Sequence, residues 1–154
     1  MPLLKEYRPG EPEPVFLWGD MLDPDLRAQY GLPRDLDFGQ VGSIDHFALR
    51  TVDPLGKGYG ALNLVPQAHC VVYGIYCRLS DEHLQILDDL PALARAREGV
   101  LYEREAVTVE TVSDAEASWA WTYFIRGTVP ERLRDHVNWK PGDVSHHQRP
   151  DWYQ

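Results

Sequence analysis

Cysteine, positive charge and long apolar runs are all scarce in this sequence, and each scarcity excludes a class of protein. Cys70 and Cys77 are the two cysteines; on one strand they would lie about 23 Å apart, too far for a disulfide bond. The 15 basic residues are outnumbered by 24 acidic ones, and the net charge of −9 argues against nucleic acid or a membrane as partner. Without a signal-peptide pattern or a membrane-length apolar run, we expect a cytoplasmic protein.

Cofactor and metal motifs are also missing. The six histidines form no HExxH pattern, and no GxSxG nucleophile motif occurs. The glycine-rich stretch "GKGYG" at residues 56–60 lacks the Ser or Thr that completes a phosphate-binding loop. We expect no cofactor and no metal, and we interpret residues 56–60 as a flexible loop, with a site-lining loop and a nucleotide site as the alternatives.

The sequence does contain many strand patterns and one strong helix pattern. The strand patterns cover residues 15–19, 61–66, 70–79, 101–112 and 118–125, with one or two more between Gly39 and Thr51, interrupted near Asp45. A short helix is indicated after Asp23, and Ser80 is the predicted N-cap of a helix over residues 80–90. Because strands outnumber helices, we expect an α+β fold with a mostly antiparallel, curled sheet or small barrel.

The length of 154 residues predicts a single domain over residues 1–154. We expect residues 1–14 to form a solvated leader. We expect residues 138–154 to form an irregular tail that packs on the body through its aromatic side chains. Within residues 118–125, Trp119, Trp121 and Tyr123 share one face at a period of two and should form a continuous apolar surface.

Two glycine turns are candidate parts of a site. The strand "VFLW" stops at Gly19, and the backbone N–H groups that follow would suit an anion, although a plain turn is equally compatible. Glu98 precedes Gly99 at the expected rim of the sheet, where apolar neighbours would raise its pKa and make it a candidate general base, with an exposed loop glutamate as the alternative. Asp88 and Asp89 close the strong helix and are expected to be solvated.

The order of motifs resembles the γ-glutamylcyclotransferase-like family, which includes AIG2-like proteins. Where the family has Tyr-Gly-Ser/Thr-x-Leu after its first strand, this chain has Trp18-Gly19-Asp20-Met21-Leu22. The family's Val-x-Gly-x-x-Tyr-x-Leu strand, Leu-Asp helix end, Glu-Gly pair and Tyr-x-Arg strand are matched by residues 72–79, 87–88, 98–99 and 102–104. The resemblance covers about residues 15–125.

This resemblance implies a small mixed, mostly antiparallel β-barrel flanked by helices, with a pocket over the end of the first strand. It assigns Glu98 as the catalytic proton carrier. The implied substrate-binding residues are Trp18, Gly19, Asp20, Met21, Leu22, Tyr59 and Tyr102. We expect the pocket to lie between residues 18–22, residues 56–62 and Glu98.

Three positions depart from the family pattern. Trp18 replaces a tyrosine, and Asp20 replaces a small hydroxyl residue. Pro91 stands where the family has its glutamate, three residues after the Leu-Asp pair, whereas Glu98 follows ten residues after Asp88. Either an insertion brings Glu98 to the same place or the base is lost.

The implied activity is cyclisation of a small γ-glutamyl amine or amino acid to 5-oxoproline, with release of the amine. The substrate is therefore a small molecule. Two alternatives remain at this point: divergent chemistry of the same fold on an amine-bearing metabolite, with Asp20 pairing a cation, and a non-catalytic binding module.

Overall fold

The strand patterns of the sequence form five strands that close into a barrel. The computed structural model describes residues 12–53, 56, 61–89, 102–111 and 118–130. Its strands are β1 (Glu13–Leu17), β2 (Asp37–Val52), β3 (Ala61–Leu79), β4 (Tyr102–Thr111) and β5 (Ser118–Ile125). The helices over these ranges are α1 (Pro24–Gln29), α2 (Asp81–Asp89) and a short 3-10 helix, Gly19–Leu22, which we call the Gly19 turn.

The barrel closes in the order β1-β3-β2-β4-β5. All neighbouring strands are antiparallel except β5 and β1, which run parallel and pair at Val15 and Trp121. The expected α+β fold, a small mixed barrel with mostly antiparallel pairing, is confirmed. Because β1 and β5 run in the same direction, the ends of both strands lie at the same end of the barrel.

The segments 61–66 and 70–79, predicted as separate strands, form one continuous strand, β3. It pairs with β2 along most of its length, and the pairing shifts register between Asp45 and Phe47. At the shift His46 and His69 have positive φ angles of 66° and 65°, and the His69 N–H donates to His46 Nδ1 at 3.3 Å. The interruption predicted near Asp45 is therefore a bulge within the paired strands β2 and β3.

The first strand begins earlier than predicted. Glu13 and Pro14, assigned to the solvated leader, are half-buried strand residues that pair with Leu79 and Arg78. The leader prediction is therefore wrong for these two residues. Glu13 is held further by a hydrogen bond that it accepts from Trp121 Nε1 at 3.2 Å. Residues 1–11 lie outside the described ranges.

Both helices begin where the sequence indicates. Asp23 caps α1 through Oδ1, which accepts the N–H groups of Asp25 and Leu26 at 2.9 and 3.4 Å. Ser80 Oγ accepts the N–H of His83 at 3.3 Å at the start of α2. Leu84 and Leu87 of α2 are buried, so this helix packs on the barrel through its predicted apolar face.

The predicted aromatic face of β5 is confirmed. Trp121 and Tyr123 are buried, and half-buried Trp119 packs edge-on against Trp121 with the ring centroids 5.6 Å apart. The opposite face of β5 is buried as well, through Ala120, Thr122 and Phe124. Protein thus covers both faces of β5, and six of its eight residues are buried.

Gly74 lies where β3 passes close to the end of β1. A methyl group here would stand 2.2 Å from the Leu17 carbonyl oxygen and 2.8 Å from Phe16 Cζ. Gly74→Ala must therefore displace the main chain, and we expect it to lower the free energy of unfolding in urea by about 1–3 kcal/mol or more. A variant as stable as the parent would contradict this close approach.

No helix within the described ranges has the length and apolarity needed to cross a membrane. The predictions for the loop 57–60 and the tail 138–154 fall outside those ranges and are not tested by the fold.

Candidate functional site

The Gly19 turn reverses the chain directly after β1. Trp18 is still extended, with φ −139° and ψ 166°, and Gly19 has a φ of +63°, a left-handed value that favours glycine. The turn ends where the Asp23 N–H donates to the Asp20 carbonyl oxygen at 3.1 Å. The first N–H groups of such a helix have no acceptor within it, so the turn can offer donors to a ligand.

Tyr102 lies beside this turn. As the first residue of β4 it pairs with Ile125 at the end of β5, and its ring contacts that of Trp18 with the centroids 6.2 Å apart. Its hydroxyl donates to the Leu62 carbonyl oxygen at 2.7 Å. Burial raises the pKa of Tyr102 well above its usual value, and the negative charge of Asp20 raises it further. Tyr102 is therefore a neutral hydrogen-bond donor in the protein.

The same end of the barrel holds a buried amide that the sequence did not single out. Asn63 is buried; its Oδ1 accepts the Ile125 N–H at 2.9 Å and its Nδ2 donates to Thr128 Oγ1 at 3.0 Å. Asn63 thereby ties the start of β3 to the end of β5. The sequence contains no local signal for its burial, because alternation in "ALNLVP" puts Asn63 on the face opposite Leu62 and Leu64.

The structure brings together six of the eight predicted site residues. Trp18, Gly19, Asp20, Met21, Leu22 and Tyr102 all belong to, or lie beside, the Gly19 turn. Trp18 and the side chain of Met21 are buried, Leu22 is 37% exposed, and Oδ2 of Asp20 is inaccessible to solvent. Glu98 and Tyr59 lie outside the described ranges, so the expected pocket between them and the turn stays a prediction.

A second polar cluster lies between α2 and the strands β1, β4 and β5. Asp88 accepts the Tyr123 hydroxyl at 2.9 Å and an Arg104 N–H at 3.3 Å. The Arg104 guanidinium stacks over the Trp121 ring, 4.8 Å from its centroid. The expectation that Asp88 is solvated is wrong, because these contacts leave its side chain only 26% exposed.

Burial dominates the electrostatics of this cluster. It raises the pKa values of Glu13 and Asp88, while Arg104 opposes the shift at both carboxyl groups. Burial, followed by the nearby charge of Asp88, raises the pKa of Tyr123. A group with a raised pKa in the folded state stabilises the fold below its unfolded pKa, and this contribution is lost as the pH rises through the folded pKa.

Glu13→Gln should therefore flatten the pH dependence of stability. Glutamine keeps the oxygen that accepts the Trp121 N–H but cannot ionise. The free energy of unfolding of the variant, relative to the parent, should rise as the pH increases from the ordinary Glu pKa of 4.5 toward neutrality. Urea unfolding at several pH values measures the difference; a pH-independent difference would show that Glu13 ionises normally in the fold.

Cys77 is poorly suited to a nucleophilic role. Cys70 and Cys77 are both free, and burial raises the pKa of Cys77 to about 12, so its thiolate is scarce at neutral pH. Within the ranges that the structure describes, no group of three or more His, Cys, Asp or Glu side chains is placed to hold a metal ion.

Solved structures share this fold at low sequence identity. The solution structure of one Arabidopsis thaliana protein is 22% identical with a TM-score of 0.56, covering 92% of this chain and 76% of that one. A second Arabidopsis thaliana solution structure is 18% identical with a TM-score of 0.54, covering 83% and 76%. A structure named gamma-glutamyl cyclotransferase is 16% identical with a TM-score of 0.57, covering 74% and 66%.

The search of curated proteins finds no match. A family model described as gamma-glutamyl cyclotransferase, AIG2-like, matches residues 15–142. That span includes all of the barrel except the first two residues of β1, together with the Gly19 turn and Tyr102. The chain therefore belongs to the gamma-glutamyl cyclotransferase, AIG2-like family.

Proposed function

We propose that this chain is an enzyme that cyclises the γ-glutamyl group of a small γ-glutamyl amine or amino acid to 5-oxoproline and releases the free amine. The observation that carries the proposal is the family match over residues 15–142. The position of the Gly19 turn, at the end of β1 and beside Tyr102, supports it, because the family pattern assigns substrate binding to this turn.

The reaction is an intramolecular acyl transfer. The α-amine nitrogen of the substrate attacks its own γ-carbonyl carbon, a new C–N bond closes a five-membered ring, and the C–N bond to the leaving amine breaks. One proton leaves the attacking nitrogen and one reaches the leaving nitrogen. Ring closure needs no second reactant and no cofactor, since the attacking group is already attached to the substrate.

The Gly19 turn and its aromatic neighbours would hold the glutamyl group. N–H groups at the start of the turn suit its carboxylate or the developing oxyanion. Trp18 and Tyr102, in ring contact, would form an apolar wall that limits water. Tyr102 is tied through its hydroxyl to the Leu62 carbonyl, and its role here is to shape the pocket.

Glu98 would move the proton. It precedes Tyr102 by four positions, and a segment of that length spans at most about 14 Å. Since Tyr102 contacts Trp18, Glu98 has the reach to act at the Gly19 turn. The chain length therefore permits the interpretation in which the insertion "PALARAR", residues 91–97, delivers the glutamate from a new sequence position.

One observation favours a second function for the same site. The charge of Asp20 acts on the Tyr102 hydroxyl, so a carboxylate lies near two aromatic rings where the family has a small hydroxyl residue. A carboxylate and aromatic faces together suit a cation. The alternative is therefore chemistry on an amine-bearing metabolite whose cation pairs with Asp20.

The test is a screen of γ-glutamyl amines and γ-glutamyl amino acids in which mass spectrometry detects the release of 5-oxoproline. The panel should contain substrates whose leaving group carries a positive charge and substrates whose leaving group is neutral. Release of 5-oxoproline from neutral members supports the first function, and release restricted to cationic members favours a role for Asp20. Binding without turnover would favour a non-catalytic module, and neither binding nor turnover across the panel would overturn the proposal.

A further inference from the structure

Arg27 is a buried arginine with an unusual set of partners. It lies on α1, and only 4% of it is exposed. Its side chain donates to three main-chain carbonyl oxygens: Nη1 to Met21 at 2.8 Å, Nε to Pro33 at 3.2 Å and Nη2 to Arg34 at 2.5 Å. One guanidinium thus joins the Gly19 turn to the segment that follows α1.

The charge of Arg27 is not neutralised by a carboxylate among the residues that the structure describes. Among the described residues, the Arg27 side chain donates its hydrogen bonds to carbonyl groups alone. Asp25, the acidic residue in the first turn of α1, pairs with Arg34 at the surface. Burial and the charge of Asp37 raise the pKa of Cys77 in the barrel wall, and the charge of Arg27 acts there to lower it. A buried cation is costly unless polar groups stabilise it, and three carbonyl groups do so here.

The contact with Met21 determines how the Gly19 turn is held. Met21 is the third of the four residues in this turn, and its side chain is buried. In a helical turn the carbonyl groups point toward one end and the N–H groups toward the other. By holding the Met21 carbonyl from the α1 side, Arg27 leaves the N–H groups at the start of the turn facing the opposite way.

We propose that Arg27 is a positioning residue for the substrate site: its guanidinium holds the Gly19 turn through the Met21 carbonyl and places a fixed positive charge behind it. This inference rests on the proposed function, because the turn is the part of the site that would receive the glutamyl group. The charge of Arg27 favours an anionic group at the turn and offsets the negative charge of Asp20.

The test compares Arg27→Lys and Arg27→Gln with Arg34→Gln. Lysine keeps the charge but cannot bond three carbonyls as a planar fork, and glutamine removes the charge. Arg34 is the matched control, since its side chain is 62% exposed and its loss changes the net charge equally. We expect KM for an accepted γ-glutamyl substrate to rise about 10- to 100-fold in Arg27→Gln and less in Arg27→Lys. Values of kcat should change less than KM, and Arg34→Gln should stay within about twofold of the parent.

A binding readout separates this inference from the proposed function. L-glutamate titrated into the ¹⁵N-labelled chain should shift the amide signals of Gly19–Leu22, with weaker binding in both Arg27 variants and parental binding in Arg34→Gln. Amide exchange in the turn should also be faster in Arg27→Lys, which retains a buried cation and is the variant chosen to preserve the fold. If the parent releases no 5-oxoproline, the proposed function fails and the titration still tests Arg27.

Two outcomes would overturn the inference. One is that Arg27→Lys, folded by its amide spectrum, binds L-glutamate as the parent does and exchanges its turn amides at the parental rate. The other is that glutamate shifts no amide signal of the Gly19 turn in the parent chain.

Discussion

Glu98→Gln should lower the turnover of an accepted γ-glutamyl substrate by about 10²- to 10⁴-fold, the usual contribution of a positioned general base. Glutamine keeps the size and hydrogen-bonding capacity of the side chain but cannot accept the proton that the substrate's α-amino group must lose as its nitrogen attacks. The measurement is the rate of 5-oxoproline release at saturating substrate. Because Glu98 is expected at a rim, the free energy of unfolding should change little.

Glu103→Gln is the matched control. Glu103 lies in β4, one residue beyond Tyr102, and its Oε1 accepts the Gly127 N–H at 3.0 Å. Glutamine can accept the same bond, so both turnover and stability should stay near the parental values. Full activity in Glu98→Gln would show that the family's proton carrier has no counterpart at this position, and Asp20 would be the next acid to replace.

Trp121→Ala should lower the free energy of unfolding by about 3–5 kcal/mol, the usual cost of deleting a buried large aromatic side chain. The residue is 4% exposed, and its ring lies under the Arg104 guanidinium and donates to Glu13. The substitution therefore opens a cavity and also removes a donor from a half-buried carboxyl group. Urea unfolding, with a check that the m-value is unchanged, measures the loss.

Trp119→Ala provides the comparison for Trp121. Trp119 stands on the same face of β5 and contacts Trp121, but it is only half-buried, so its removal should cost clearly less. A loss below about 1 kcal/mol for Trp121→Ala, or equal losses at both positions, would contradict the buried packing of this face.

The elements predicted well are those whose signal is local. Alternation of large and small residues in "SWAWTYFI" predicted β5 with its observed bounds, Ser118–Ile125. The capping residues Asp23 and Ser80 predicted where the two α-helices begin. In each case a few neighbouring residues contain the whole physical reason for the element, so the sequence alone suffices.

The elements predicted poorly depend on residues far apart in the chain. The continuity of β3 through His69 depends on pairing with β2, because a left-handed residue inside a strand is tolerated only where the opposite strand bulges with it. Glu13 became a strand residue because Trp121 and Leu79 approach it in the folded barrel. None of these partners is adjacent in sequence.

The candidate site, too, was predicted only in part. The family pattern indicated Trp18, the Gly19 turn and Tyr102 as candidate binding residues; the structure puts the Trp18 and Tyr102 rings side by side, and their role in binding stays a prediction. Arg27 was missed because a lone arginine is exposed by default; its partners lie only six or seven positions away, but they surround it only once the chain folds back on both sides of α1. Asn63 was missed for a different reason, since its partners, Ile125 and Thr128, lie 62 and 65 positions away.

The parallel pairing of β1 with β5 has a consequence for how the chain folds during synthesis. Thr122 Oγ1, fully buried, donates to the Phe16 carbonyl at 2.9 Å across a separation of 106 positions. At a synthesis rate of about 5–20 residues per second, β1 leaves the ribosome about 5–20 seconds before β5 does. Once β3 has also emerged, β1 can pair with it, but β1 keeps an unpaired edge on its other side until β5 arrives. Until β5 pairs with it, this edge of β1 can associate with a strand of another chain. Release of the nascent chain before Trp121 would leave the barrel open.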